Sequence, residues 1–70
     1  MIQNNLKLKR QEKGFTQAQL AKIVGITEVH YQRVEYGKAE PKVTLAGRLA
    51  LALNVAIPDI FPLPREEAGK

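Results

Sequence analysis

Cysteine is absent from this 70-residue chain. That excludes disulfides, thiol nucleophiles and zinc sites built on Cys ligands. No apolar run is long enough to cross a bilayer, and the start, MIQNNLKLKR, lacks the apolar stretch of a secretory signal. A cytoplasmic, nucleoid-associated location is therefore expected. Internal repeats and low-complexity segments are also missing. One domain over residues 1–64, followed by a polar tail over 65–70, accounts for the whole length. Histidine occurs once, and the acids are dispersed, so neither a metal nor another cofactor is expected. Lone acids such as Glu12 and Asp59 do not form a converging acid/base pair, and so short a chain has little room for a substrate cavity. An enzyme is not expected. A core of this size rarely supplies more than roughly 3–5 kcal/mol of net stability, so a partner chain would help.

What is present begins with charge. The chain carries 11 basic and 7 acidic residues, a net +4. The tail holds two of each sign, so the whole excess lies on the folded part. A polyanionic partner is favoured.

The spacing predicts five helices. The first runs from about Asn4 to Lys13 and stops at Gly14; its apolar content is thin (Leu6 and Leu8, after Met1 and Ile2), and Lys7, Lys9, Arg10 and Lys13 occupy much of its surface. Thr16 caps the second helix, with Gln19 placed to close a capping box and Phe15 and Leu20 as a hydrophobic staple. This helix ends at Gly25. Thr27 caps the third, which ends at Gly37 and carries Glu28 in its first turn, where the helix dipole favours negative charge. The link Gly25-Ile26-Thr27 is too short for an antiparallel pair, so a steep crossing follows. A polar stretch, Lys38 to Lys42, leads through Pro41 into a fourth helix over Val43 to Leu53. That helix is apolar on more than one face, and Leu51 is the suspect surplus. Asn54 can stop it in the left-handed conformation, and Pro58 opens a short fifth helix to about Phe61. The end, Phe61-Pro62-Leu63-Pro64, should be extended.

Residues 17–36 thus read as a helix-turn-helix. Ala21 sits where the two helices come closest, and Leu20, Val24, Ile26, Tyr31 and Val34 can share one core. The second helix of the pair then turns one polar side outward, where it could enter a DNA major groove. Its N-terminal residues and those one turn on are Glu28, Val29, Gln32 and Arg33. Arg33 can donate two bonds to guanine, Gln32 can pair with adenine and Val29 can touch a thymine methyl. Glu28 either accepts from cytosine N4 or simply serves the helix dipole. Contacts to the DNA backbone are expected from Gln17, whose amide and side chain should both face outward, and from Thr27, Lys38 and Lys42. Lys22 and His30 read as solvated surface residues.

The pieces GFTQAQLAKIVGIT, RVEYGKAEP and LALALNVAIPDIF together resemble the phage repressor and Cro-type helix-turn-helix family of bacterial regulators. The match covers about Leu6 to Phe61. Family features present are Thr16-Gln17, Leu20-Ala21, Gly25, Glu35-Tyr36-Gly37 and Ile60-Phe61; their joint spacing is the specific part. The resemblance implies an all-α, five-helix Cro/repressor-like domain that binds operator DNA as a dimer. It further implies that Arg10 pairs with Glu35; chemically, a partly buried Glu needs a partner and Arg offers a fork. The alternative for these two is a pair of solvated charges. Departures from the family pattern are Lys9 and Gly47 at usually apolar positions, Tyr31 in place of a small aliphatic, and Lys42 and Ala56 at usual cap positions.

The expected function is therefore a sequence-specific DNA-binding transcriptional regulator, a repressor acting on a palindromic operator as a homodimer on double-stranded DNA. Leu51, Leu63 and Ile2 are the expected dimer residues. The chain ends, Met1-Ile2-Gln3 and Phe61-Pro62-Leu63, could pair as short extended strands. A different class of function is a protein-interaction module, such as an antitoxin-type regulator that also binds a toxin through the exposed fourth helix and the tail.

Overall fold

The computed structural model describes residues 4–61. Among these residues the chain is all helical, with α1 (Leu6–Glu12), α2 (Gln17–Val24), α3 (Glu28–Glu35), α4 (Val43–Leu53) and α5 (Ile57–Ile60), and no strand. The suggested pairing of the chain ends, Ile2 and Leu63 as dimer residues, and the polar tail lie outside the described residues.

The first four helices end in the same way. At each end, one backbone N–H reaches back five residues and its predecessor reaches back three: Phe15 to Arg10 and Gly14 to Gln11, Ile26 to Ala21 and Gly25 to Lys22, Lys38 to Arg33 and Gly37 to Val34, Val55 to Ala50 and Asn54 to Leu51. This closes the last carbonyls that a helix otherwise leaves unpaired. It requires a left-handed residue at 14, 25, 37 and 54, where φ is 81°, 82°, 78° and 58°. At Gly25 the constraint matters most, because the chain must reverse into α3 within two residues, and a side chain there would be strained even though its Cβ would meet only Arg48 Nη1 at 3.9 Å.

The helix starts differ more. Thr16 Oγ1 accepts from Gln19 N at 3.0 Å and Gln19 Oε1 accepts from Thr16 N at 2.8 Å, a complete capping box. Thr27 Oγ1 accepts from His30 N at 3.1 Å. Lys42 provides no side-chain cap for α4. Ala56 cannot cap α5 either, but Asp59 reaches back to Ala56 N at 3.0 Å and supplies half of a box. The first helix is shorter than the reading Asn4 to Lys13. Asn4 and Asn5 are docking residues instead: Asn4 Oδ1 accepts from Leu6 N at 2.9 Å, Asn4 Nδ2 donates to Val34 O at 3.0 Å, and Asn5 N donates to Ile60 O at 2.8 Å. They tie the start of α1 to the ends of α3 and α5.

A single core joins Leu6, Leu20, Ala21, Val24, Tyr31, Val34, Leu45, Leu49, Ala50, Leu53 and Ile60, with Phe15 and Ile26 packed against it. Burial follows the helical repeat on α4, where Leu45, Leu49 and Leu53 face inward and Leu51 stays 82% exposed. Leu8, counted among the apolar content of α1, is 54% exposed and adds nothing to the core. Only Leu6 of that helix reaches the apolar interior. The other buried residue of α1 is Arg10.

Candidate nucleic-acid interface

α3 presents two chemically different sides. Its inner side carries Tyr31, Val34 and Glu35, all buried. The Glu35 side chain is 1% exposed, yet both its oxygens are satisfied. Arg10 Nε donates to Oε1 at 2.9 Å and Arg10 Nη2 to Oε2 at 3.4 Å. The Tyr31 hydroxyl donates to Oε1 at 2.6 Å, and Gln17 Nε2 donates to Oε2 at 2.9 Å. Arg10 Nη1 is occupied in turn by Phe15 O at 2.8 Å. Arg10 and Glu35 are thus a buried ion pair rather than two solvated charges, and it links α1 to the end of α3.

Burial pushes the Glu35 carboxyl up, but the hydrogen bonds from Arg10, Tyr31 and Gln17 outweigh it and hold the group below its ordinary value. Burial, and then the bond to Glu35, drives the Tyr31 phenol well above its ordinary range. The Arg10 guanidinium is raised chiefly by its bond to Glu35. All three groups are therefore fixed in one protonation state across the physiological range.

The outer edge is open. Glu28, Val29 and Arg33 are exposed, Val29 at 67%. Gln32 is half-buried beside them. Among the described residues Arg33 enters no ion pair, so its donors are free. Thr27 accepts the cap bond from His30, which leaves its hydroxyl hydrogen available. Lys38 and Lys42 are exposed on the segment after α3, and His30 and Lys22 are exposed as well.

Gln17 departs from its expected placement. Its side chain does not face outward. Besides Glu35, it donates to Tyr36 Oη at 3.2 Å and accepts from Gln32 Nε2 at 3.2 Å. A buried carboxylate needs donors, and Gln17 at the start of α2 supplies one. Its backbone N–H lies in the first turn of α2, where a helix leaves its N–H groups without intrahelical partners. Gln32 Nε2 also donates to Glu28 Oε2 at 3.4 Å. Polar contacts therefore run unbroken from the buried pair to the outer edge of α3. Tyr31 and Tyr36 were missed as members of this network. The spacing of Tyr31 to Glu35, one turn apart on α3, was the available signal.

A half-open groove of about 320 Å³ lies beside α3, lined by Ile26, His30, Glu40, Lys42, Thr44, Leu45 and Arg48. No group of three His, Cys, Asp or Glu side chains that could hold a metal occurs among the described residues. No helix among them is long and apolar enough to cross a membrane.

The family model described as Helix-turn-helix matches residues 6–60. An uncharacterized HTH-type transcriptional regulator of Methanothermobacter thermautotrophicus is 42% identical over 60 residues, which is 84% of this chain and 87% of that protein. The SPbeta prophage-derived HTH-type transcriptional regulator YonR of Bacillus subtilis is 38% identical over 56 residues. There the chain spans only about half of the relative, 52% of its length against 80% of this chain. Among solved structures, the restriction-modification controller protein C.AhdI of Aeromonas hydrophila superposes with a TM-score of 0.74 at 27% identity, over 79% of this chain and 83% of that one.

Proposed function

The chain belongs to the helix-turn-helix family, and on that premise we propose that it is a sequence-specific DNA-binding transcriptional regulator, a repressor of a palindromic operator. The single observation that carries this reading is the division of α3: its inner side is locked into the core while Glu28, Val29 and Arg33 are exposed on the outer edge. Relatives named as transcriptional regulators support it. In the major groove Arg33 would donate to guanine O6 and N7, Val29 would meet a thymine methyl, and Glu28 would accept from cytosine N4 or serve the helix dipole. The Gln17 N–H, the Thr27 hydroxyl, Lys38 and Lys42 would hold phosphates and set the register. Binding alone fulfils this role, without a catalytic group, in the compartment that holds the genome. No observation favours the toxin-binding alternative.

Titration of an operator fragment at two salt concentrations tests the reading. Each neutralised phosphate should add about −0.9 to the slope of log affinity against log salt. A flat response, or no binding to any genomic fragment, contradicts it.

A homodimer completes the proposal, since a palindrome needs two recognition helices about 34 Å apart. Leu51, almost fully exposed on α4, is the described residue that a second copy would cover. Sedimentation at micromolar concentration should give a dimer; a monomer alone refutes it.

A further inference from the structure

We infer that the buried Glu35 carboxylate dictates which end of the Gln32 amide faces DNA, so that Gln32 reads as an acceptor and selects a base that presents an amine in the major groove, adenine or cytosine. The inference rests on the DNA-binding reading above and adds to it the hydrogen-bond polarity of one reading position.

Donors and acceptors alternate outward from Glu35. Glu35 is ion-paired with Arg10 and so accepts only. Gln17, 2.9 Å from Glu35 Oε2, must turn its NH₂ group inward, and its second hydrogen goes to Tyr36 Oη. Its carbonyl oxygen is thereby turned toward α3. Gln32 meets that oxygen at 3.2 Å and must present its own NH₂ group. The remaining Gln32 hydrogen is directed to Glu28 Oε2, another acceptor, at 3.4 Å. Flipping Gln32 would set its oxygen against two acceptors. Flipping Gln17 would set an oxygen against a buried carboxylate. Two amides are thus oriented in series by one charge, and among the described residues both Gln32 donors are occupied while its oxygen is not.

An unconstrained glutamine beside adenine makes two bonds, accepting from N6 and donating to N7. Gln32 held in this way can make only the first. Its oxygen fits adenine N6 or cytosine N4 equally, and it opposes the acceptors of guanine (O6, N7) and thymine (O4). The expected preference at this position is two bases of four.

Selection of bound duplexes from a random pool by the full chain tests this. The Gln32 position is the one whose preference vanishes in Gln32→Ala. There, the unmutated protein should enrich adenine and cytosine similarly, roughly three- to tenfold over guanine and thymine, the range for one net hydrogen bond. Gln17→Ala frees one Gln32 N–H and should shift that position toward adenine over cytosine, leaving other positions as they were. Adenine alone, guanine or thymine with the unmutated protein, no position sensitive to Gln32→Ala, or an unshifted pattern in a folded Gln17→Ala would each overturn the inference. Should Gln17→Ala fail to fold, the pattern of the unmutated protein decides by itself. Failure to enrich any sequence would instead overturn the DNA-binding reading.

Discussion

Where α1 meets α3 the interior is polar: a guanidinium, a carboxylate, a phenol and an amide satisfy one another around Glu35. Where α4 meets α2 and α5 it is apolar, built from Leu45, Leu49, Leu53, Leu20 and Ile60. The apolar seam stabilises by removing area from water and tolerates small shifts. The polar junction tolerates little, because each donor needs one acceptor at one distance. It is also the junction that sits behind the proposed reading edge. A buried network there fixes the rotation of α3 and, through Gln17, the direction of Gln32. A leucine contact could hold α3 in place but could not orient an amide. The polar junction is thus the part of the core that shapes the outer surface.

The polar junction is most vulnerable at Arg10. Arg10→Ala leaves Glu35 buried with only Tyr31 and Gln17, at a cost of roughly 3–5 kcal/mol near neutral pH. That is about the whole net stability of so small a core. Denaturant unfolding should show it, and the loss should shrink in acid as Glu35 takes up a proton. Leu49→Ala, in the apolar seam, should cost roughly 2–5 kcal/mol through the cavity it leaves, with no such pH dependence. If both variants responded to pH alike, the two regions would not differ as described.

A gentler probe sharpens the same contrast. Glu35 is held below its ordinary value of 4.5, so its contribution is present above that pH and fades as pH falls through the lower, folded value. Tyr31 is held above its ordinary value of 10.0, so its contribution is complete below pH 10.0 and declines as pH rises beyond it. Tyr31→Phe should cost about 1–2 kcal/mol near neutrality and flatten the alkaline decline of the melting temperature. An unchanged alkaline limb would show that Tyr31 is not what loses stability there.

Local signals in the chain account for most of the fold. Gly14, Gly25, Gly37 and Asn54 mark four helix ends, Thr16 and Thr27 mark two starts, and the spacing of Leu45, Leu49 and Leu53 marks the inward face of α4. Each involves groups within a few residues of one another. The docking of Asn4 and Asn5 leaves no local signal, because their partners, Val34, Ile60 and Asp59, lie 30 or more residues away. The inward turn of the Gln17 side chain is hidden for the same reason: only the folded chain brings it beside Gln32, Glu35 and Tyr36. Leu8, half of the thin apolar content of α1, is exposed, and that helix is anchored by Leu6 and Arg10. Polar matches between distant segments leave no periodic trace, and they are what the local patterns could not supply.

Arg33→Ala tests most directly whether the outer edge of α3 reads bases. Its binding should be measured against the selected site and single-base variants of it. A loss of roughly 1–3 kcal/mol on the selected site, with preference relaxed at one position and the salt slope unchanged, is the predicted result. An unaltered base preference, or a uniform weakening on every sequence, would contradict it.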